Sequence, residues 1–173
     1  MFNEHTPKQG SLLLSEPFML DPNFERSVVL LCEHNEDGTV GMVLNHRSQL
    51  LLSDVMDVEV VDFPLYMGGP VQNNAVFFLH RAFHKITDGM HIFQDVYWGG
   101  DFDLAISLIN EGTLSTDEIK FFLGYSGWAD GQLNDEINQN SWAVHNKFST
   151  ELTFITDGED LWKQALISLG PKY

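Results

Sequence analysis

The apolar positions of this chain fall into short, dense runs. SVVLLCEH (27–34) and VGMVLNH (40–46) are rich in aliphatic and β-branched residues, and NEDGT separates them. Asp37-Gly38 between two such runs predicts a β-hairpin. Residues 10–14 predict a strand ahead of them, joined to the hairpin by a turn-rich connection that Asp21-Pro22 marks. Further strands are predicted at 64–68, 75–80 and 91–98. Residues 101–111 place Phe102, Ala105, Ile106 and Ile109 on one helical face, with Asp101 as N-cap and Gly112 as stop. A strand at 118–125, a helix at 128–140 and a strand at 141–147 follow. Leu161, Trp162, Ala165, Leu166 and Leu169 then recur at helical spacing, behind a capping box of Thr156 and Glu159 and ahead of Gly170-Pro171. Many strands with about three helices, mostly late, predict an α+β (mixed α/β) fold. Without a repeat or a linker, 1–173 is read as one domain.

Composition narrows the function. The 173 residues include 13 Phe, 4 Tyr and 4 Trp, which a disordered chain would lack. A single cysteine excludes an intrachain disulfide framework, and its place in SVVLLC predicts a buried, inert thiol. The 25 acids against 9 bases give a net charge of −16, which argues against binding nucleic acid by phosphate neutralisation. Residues 1–86 carry 11 acids and 5 bases, and residues 87–173 carry 14 and 4, so no separate acidic tail exists. The amino terminus MFNEHTPKQG is polar and no run approaches a bilayer span, so a cytoplasmic protein with no membrane partner is expected.

The candidate chemistry is concentrated in GYSGWADGQLNDEINQNSW (124–142). A strand ending at Gly124-Tyr125 would turn through Ser126-Gly127 into a helix. There Leu133 and Ile137 face the core, and Gln132 and Glu136 share an adjoining face with Trp128 one turn earlier. Such a corner can present free amides, with Gln132 as donor and Glu136 as acceptor or base. Its structural alternative has Gly127 in a tight turn, Trp128 in the core, and Gln132 and Glu136 bonding a neighbouring loop. G-x-S-x-G fails at Trp128, so Ser126 is not a nucleophile, and no catalytic residue is assigned. Gly68-Gly69-Pro70 forms a second corner that a turn between strands would explain, and no phosphate-loop pattern is present. Of the seven histidines, only His80, His84 and His91 are placed to gather. His34 would face Gly41 and His46 would face Val29, at opposite ends of the hairpin. No metal site and no cofactor are expected.

The segments 10–34, GMVLN (41–45), MGGPV (67–71) and 124–144 together resemble the YqgE/AlgH family of bacterial proteins. The resemblance implies a single-domain cytosolic α+β protein with a small barrel-like sheet surrounded by helices. It carries over Asn45, Gly68, Gly69, Pro70, Gly124, Gly127, Trp128, Gln132, Leu133, Glu136 and Trp142 as characteristic positions. Asn134 departs from the family's usual Glu, and Asp130 and His46 also depart. One branch bears the name of a candidate transcriptional regulator of alginate synthesis, but no helix-turn-helix or basic recognition helix is present here, so direct DNA binding is not expected. The leading expectation is a non-enzymatic binding or regulatory protein with a protein or small-molecule partner. Its candidate pocket joins Asn45, Gly68, Gly69, Pro70, Ser126, Gly127, Trp128, Gln132 and Glu136. The competing expectation is a hydrolase or transferase using Glu136 and Gln132.

Overall fold

The apolar runs do not alternate with polar residues because the sheet they build is covered on both faces. The computed structural model describes residues 6–60 and 63–170. Its strands are β1 (Leu12–Ser15), β2 (Val28–Asn35), β3 (Gly38–Val43), β4 (Arg47–Leu51), β5 (Pro64–Met67), β6 (Val71–His80), β7 (Met90–Phe93), β8 (Val96–Trp98), β9 (Ile119–Trp128) and β10 (Trp142–His145). The helices among the described residues are α1 (Leu52–Val55), α2 (Phe102–Asn110), α3 (Gln132–Asn138), α4 (Thr150–Ile155) and α5 (Gly158–Leu169). The strands run in the order β10-β1-β2-β3-β9-β6-β8-β7, and β5 joins β4 to β9 as a side ladder. All pairings are antiparallel except β5 with β9. The fold is single-domain α+β, as the element pattern predicts. The sheet is not closed, however: β10 and β7 end it without pairing with each other, which corrects the barrel-like expectation.

Adjacent residues of one strand enter different cores, as the two-residue side-chain period requires. Leu12, Leu14, Val28, Leu30, Met42 and Phe122 pack under Leu161, Trp162 and Ala165 of α5. Leu13, Val29, Leu31 and Val43 face the other way, onto Leu133 and Ile137 of α3 and the two tryptophans Trp128 and Trp142. Further along the sheet, Phe78, Ile119, Phe121 and Leu123 pack on Ala105 of α2.

Several predicted boundaries move. The hairpin forms, but Asn35 pairs with Gly38, leaving Glu36 and Asp37 as the loop in place of Asp37-Gly38. A bulge at Cys32 shifts the register, so His34 faces Thr39 and Val29 faces Val43. Burial pushes the Cys32 thiol well above its ordinary pKa, in keeping with an inert group. Residues 91–98 fold back on themselves because Gln94 adopts a positive φ of 50°, making the β7–β8 hairpin. Asp101 caps α2 through the Leu104 amide as predicted, and Ala105 is buried beneath it. Asp157, not a Thr156–Glu159 box, precedes α5, because Thr156 ends α4. Pro171 lies outside the described residues. His80 is buried with its Nδ1 accepting from the Ala82 amide, both His80 and His91 contact the Tyr97 ring, and His84 is exposed.

Candidate functional site

The two glycine corners meet because of where β5 and β6 must lie. β5 runs parallel to β9 along residues 121–123, and β6 runs antiparallel along its opposite edge. The link Gly68-Gly69-Pro70 therefore crosses β9 from one edge to the other, and the crossing point is Gly124. A Cβ on Gly68 would lie 2.3 Å from the Gly124 carbonyl oxygen, and one on Gly124 would lie 2.4 Å from that of Gly69. The Gly68 carbonyl accepts from the Val43 amide (2.9 Å) and from the Ser126 hydroxyl (3.0 Å). Gly68, Gly69 and Ser126 are buried in this contact, whereas Pro70 is exposed. Past the crossing, β3 takes over the vacated edge of β9 and pairs with Ser126, Gly127 and Trp128.

The strand runs on through Trp128, so the predicted helix at 128–140 shortens to 132–138. Glu136 faces back onto the sheet's edge. Its Oε1 accepts from the indole N–H of Trp128 (3.1 Å) and of Trp142 (2.9 Å), and its Oε2 accepts from the Gln132 amide (3.0 Å). The Gln132 Oε1 in turn accepts from the Ala129 amide. Asn45 lies apart from this group. Its Oδ1 accepts from the Val28 amide, and its Nδ2 donates to the carbonyls of Arg26 and Gly158, which ties the start of α5 to the sheet. The nine predicted residues thus divide into a backbone crossing, an indole clamp and a helix tether.

Two depressions open beside the β2–β3 hairpin. One, of about 520 Å³, is walled by Glu33, Asp37, Val40, Val71, Tyr125, Gly127 and Trp128. The other, of about 270 Å³, is walled by His34, Glu36, Asp130, Gly131, Leu133 and Asn134. Asn35, Gly38 and Thr39 belong to both, and neither lining contains a lysine or an arginine.

Sequence reasoning missed a cleft at the far end of β9. It has a volume of about 280 Å³ between β4, β5, the start of β9 and the α4–α5 junction. Lys120 stands in its wall, buried, although its neighbours Ile119, Phe121 and Phe122 mark a strand with no solvent face. That cation within an apolar strand is the signal that was available. Its ammonium donates to the carbonyls of Leu44 (3.0 Å) and Thr153 (2.9 Å) and sits 4.5 Å from the centre of the Tyr66 ring. The Tyr66 hydroxyl donates to Asp157 Oδ2 (2.8 Å). Burial, then the hydrogen bond to Asp157 and its charge, raise the Tyr66 pKa, while Arg47 opposes them. The same burial lowers Lys120 to about 8, with the Asp157 carboxylate acting the other way.

This shift fixes a pH dependence. Above pH 8 the folded amine releases its proton while the unfolded chain, near 10.5, still holds it, so stability rises with pH. Cys32 and Tyr66, both raised on folding, act oppositely above their unfolded values of 9.0 and 10.0, which leaves pH 8 to 9 clear. Denaturant unfolding should gain about 1 kcal/mol across that interval relative to Lys120→Met. Parallel curves for the two proteins would show that Lys120 titrates normally.

The comparisons agree with the fold and the motifs. The AlgH-like family profile (DUF179) matches residues 12–173. A UPF0301 protein of Cytophaga hutchinsonii is 43% identical over 167 residues, covering 95% of this chain and 91% of its own. A UPF0301 protein of Parabacteroides distasonis is 43% identical over 174 residues, covering 99% and 87%. The solution structure of AlgH from Pseudomonas aeruginosa superposes with a TM-score of 0.77 at 28% identity, over 98% of this chain and 93% of that one. A crystal structure of a Corynebacterium diphtheriae protein, at 24% identity and a TM-score of 0.73 over 96% of this chain and 89% of that one, shares the fold. No described helix is long and apolar enough to cross a membrane. With the profile spanning residues 12–173 and curated relatives matched over most of both chains, this protein belongs to the AlgH-like (UPF0301) family.

Proposed function

We propose that this protein acts by binding, without turning over a substrate, and that it receives a basic segment of a protein partner in the groove around the β2–β3 hairpin. The observation that carries this reading is the pair of adjoining depressions that share Asn35, Gly38 and Thr39. They are rimmed by Glu33, Glu36, Asp37 and Asp130 and floored by Val40, Tyr125 and Trp128. An acidic rim over an apolar floor suits a segment that alternates lysine or arginine with apolar residues. Gly127 and Trp128, two of the characteristic positions, lie in the same wall. The geometry of Glu136 weighs against a hydrolase or transferase centred on it, since three protein donors already occupy its two oxygens.

Charge reversal at the hairpin tests this. Tagged wild-type protein, the Glu36→Lys/Asp37→Lys variant and the Asp103→Lys/Glu151→Lys control would be compared by affinity capture from bacterial lysate. A bound protein retained by wild type and control, released by salt and lost from the hairpin variant is the expected result. Capture that survives hairpin reversal, or that fails equally in the control, would overturn the groove as the docking site.

A further inference from the structure

We propose that the cleft beside Lys120 binds a small zwitterion of amino-acid size, with its carboxylate on Arg47 and its ammonium on Asp157. This site shares no residue with the hairpin groove and stands independently of it. Its lining carries two cations, Arg47 and Lys120, and two carboxylates, Asp117 and Asp157. Such a balance favours a ligand that is itself charged at both ends and neutral overall.

The hydrogen bonds already present show which groups remain for a ligand. Lys120 is committed to the Leu44 and Thr153 carbonyls and to the Tyr66 ring. The Tyr66 hydroxyl is committed to Asp157 Oδ2. Arg47, exposed on β4, has no ion pair or side-chain hydrogen bond among the described residues, whereas Arg26, Arg81 and Lys85 each have a carboxylate partner. Asp157 Oδ1 is enclosed and has no hydrogen-bond donor. Buried carboxylate oxygens are ordinarily satisfied, so this half-buried carboxylate, with one enclosed oxygen lacking a donor, holds a charge that a ligand cation in the cavity would offset. A free guanidinium for a carboxylate and an unsatisfied carboxylate for an ammonium therefore line one cavity. Pro64, Phe154 and Ile155 give the ligand's short carbon chain an apolar wall. A volume of about 280 Å³ holds a molecule of that size.

The second cavity at this end, of about 410 Å³, also includes Arg47 and Asp157 in its lining, along with Asn45 and Gly158. Arg47 and Asp157 thus border both cavities. Lys120 serves as a positioning residue here. By holding α4 to the sheet through Thr153 and lying against Tyr66, it fixes the tyrosine that orients Asp157.

The test uses the intact protein and a graded series of probes. Two-dimensional amide NMR spectra would be recorded during titration with β-alanine, γ-aminobutyrate and δ-aminovalerate, and with butyrate and butylamine as the two half-molecules. The expected result is movement of amides at 65–66, 116–120 and 154–158 by one or more zwitterions, at roughly tenfold lower concentration than by either half. Arg47→Gln, an exposed change that leaves the core untouched, should weaken the zwitterion roughly tenfold and leave any butylamine effect in place. Asp157→Asn keeps an oxygen for Tyr66 and should remove the preference for zwitterion over butyrate. The proposal is overturned if no zwitterion moves these amides even in large excess, if butyrate alone moves them as strongly, or if Arg47→Gln has no effect.

Discussion

Gly124→Ala is expected to destabilise the protein by about 4 kcal/mol or more, enough to leave much of it unfolded at ordinary temperature. Two separate costs add. Gly124 holds a φ of 71°, where an L side chain is strained by about 1–2 kcal/mol. Its new methyl would also sit 2.4 Å from the Gly69 oxygen and 2.9 Å from the Val71 oxygen, both backbone atoms that cannot swing aside. Relief would require the β5–β6 link to lift off β9, which breaks the Gly68 contacts to Val43, Leu123 and Ser126. Gly112→Ala separates the two costs, because Gly112 has a similar φ of 77° but nothing within 4 Å of the added carbon. It should lose only about 1 kcal/mol. Urea unfolding of the two variants checks the difference, and equal losses would show that the crossing tolerates a methyl group.

The glycines of MGGP and GYSG were visible in the sequence as corners, but their reason was not. Nothing local records that β5 and β6 flank the same strand, so the contact between residues 68 and 124 follows only from strand order. The apolar runs had the same limitation. They gave the existence of β2, β3 and β9 because buried strands need unbroken aliphatic sequence. They could not give the register, since a strand apolar on both faces specifies neither face. The helix at 101–111 was legible to within a residue because its polar face and its Asp101 cap both show in the pattern. α4 was not, as TELTFI is too short to display a period. β4 and α1 also escaped notice, because their apolar residues Leu50, Leu51, Leu52 and Val55 form too short a run to display either period.

The candidate pocket was legible in part and for similar reasons. Gln132 and Glu136 were paired correctly by their four-residue spacing, which backbone geometry alone enforces. Their indole partners required tertiary structure: Trp128 ends one strand and Trp142 begins another, and only the turn of α3 brings both to one carboxylate. Lys120 was passed over because a single cation in a predicted strand is usually assigned to a solvent face. Its neighbours Ile119 and Phe121 enter the α2 core and Phe122 enters the α5 core, which leaves the strand no such face.

The indole clamp should be the second most sensitive point in the molecule. Trp128 and Trp142 are 5% and 1% exposed, so their rings cannot swing the N–H groups out into bulk water once Glu136 is removed. Glu136→Ala deletes one acceptor shared by two buried donors, and hydrogen bonds to a charged acceptor are worth about 1.5–3 kcal/mol each. Water entering the half-open side of Glu136 recovers part of this, so a loss of about 3 kcal/mol is expected. Glu136→Gln keeps one acceptor oxygen of the same reach and should lose roughly half as much. The two indoles, which pack on Phe24 at ring-centre distances of 6.1 and 5.4 Å, should report the change locally. Tryptophan fluorescence followed through urea unfolding measures both quantities. A Glu136→Ala variant as stable as wild type would mean that the indoles find other acceptors and that the carboxylate is held for a ligand instead. The chemistry at the GYSGW motif would then have to be sought at Glu136 itself, since only a group that the fold does not need is free to serve a substrate.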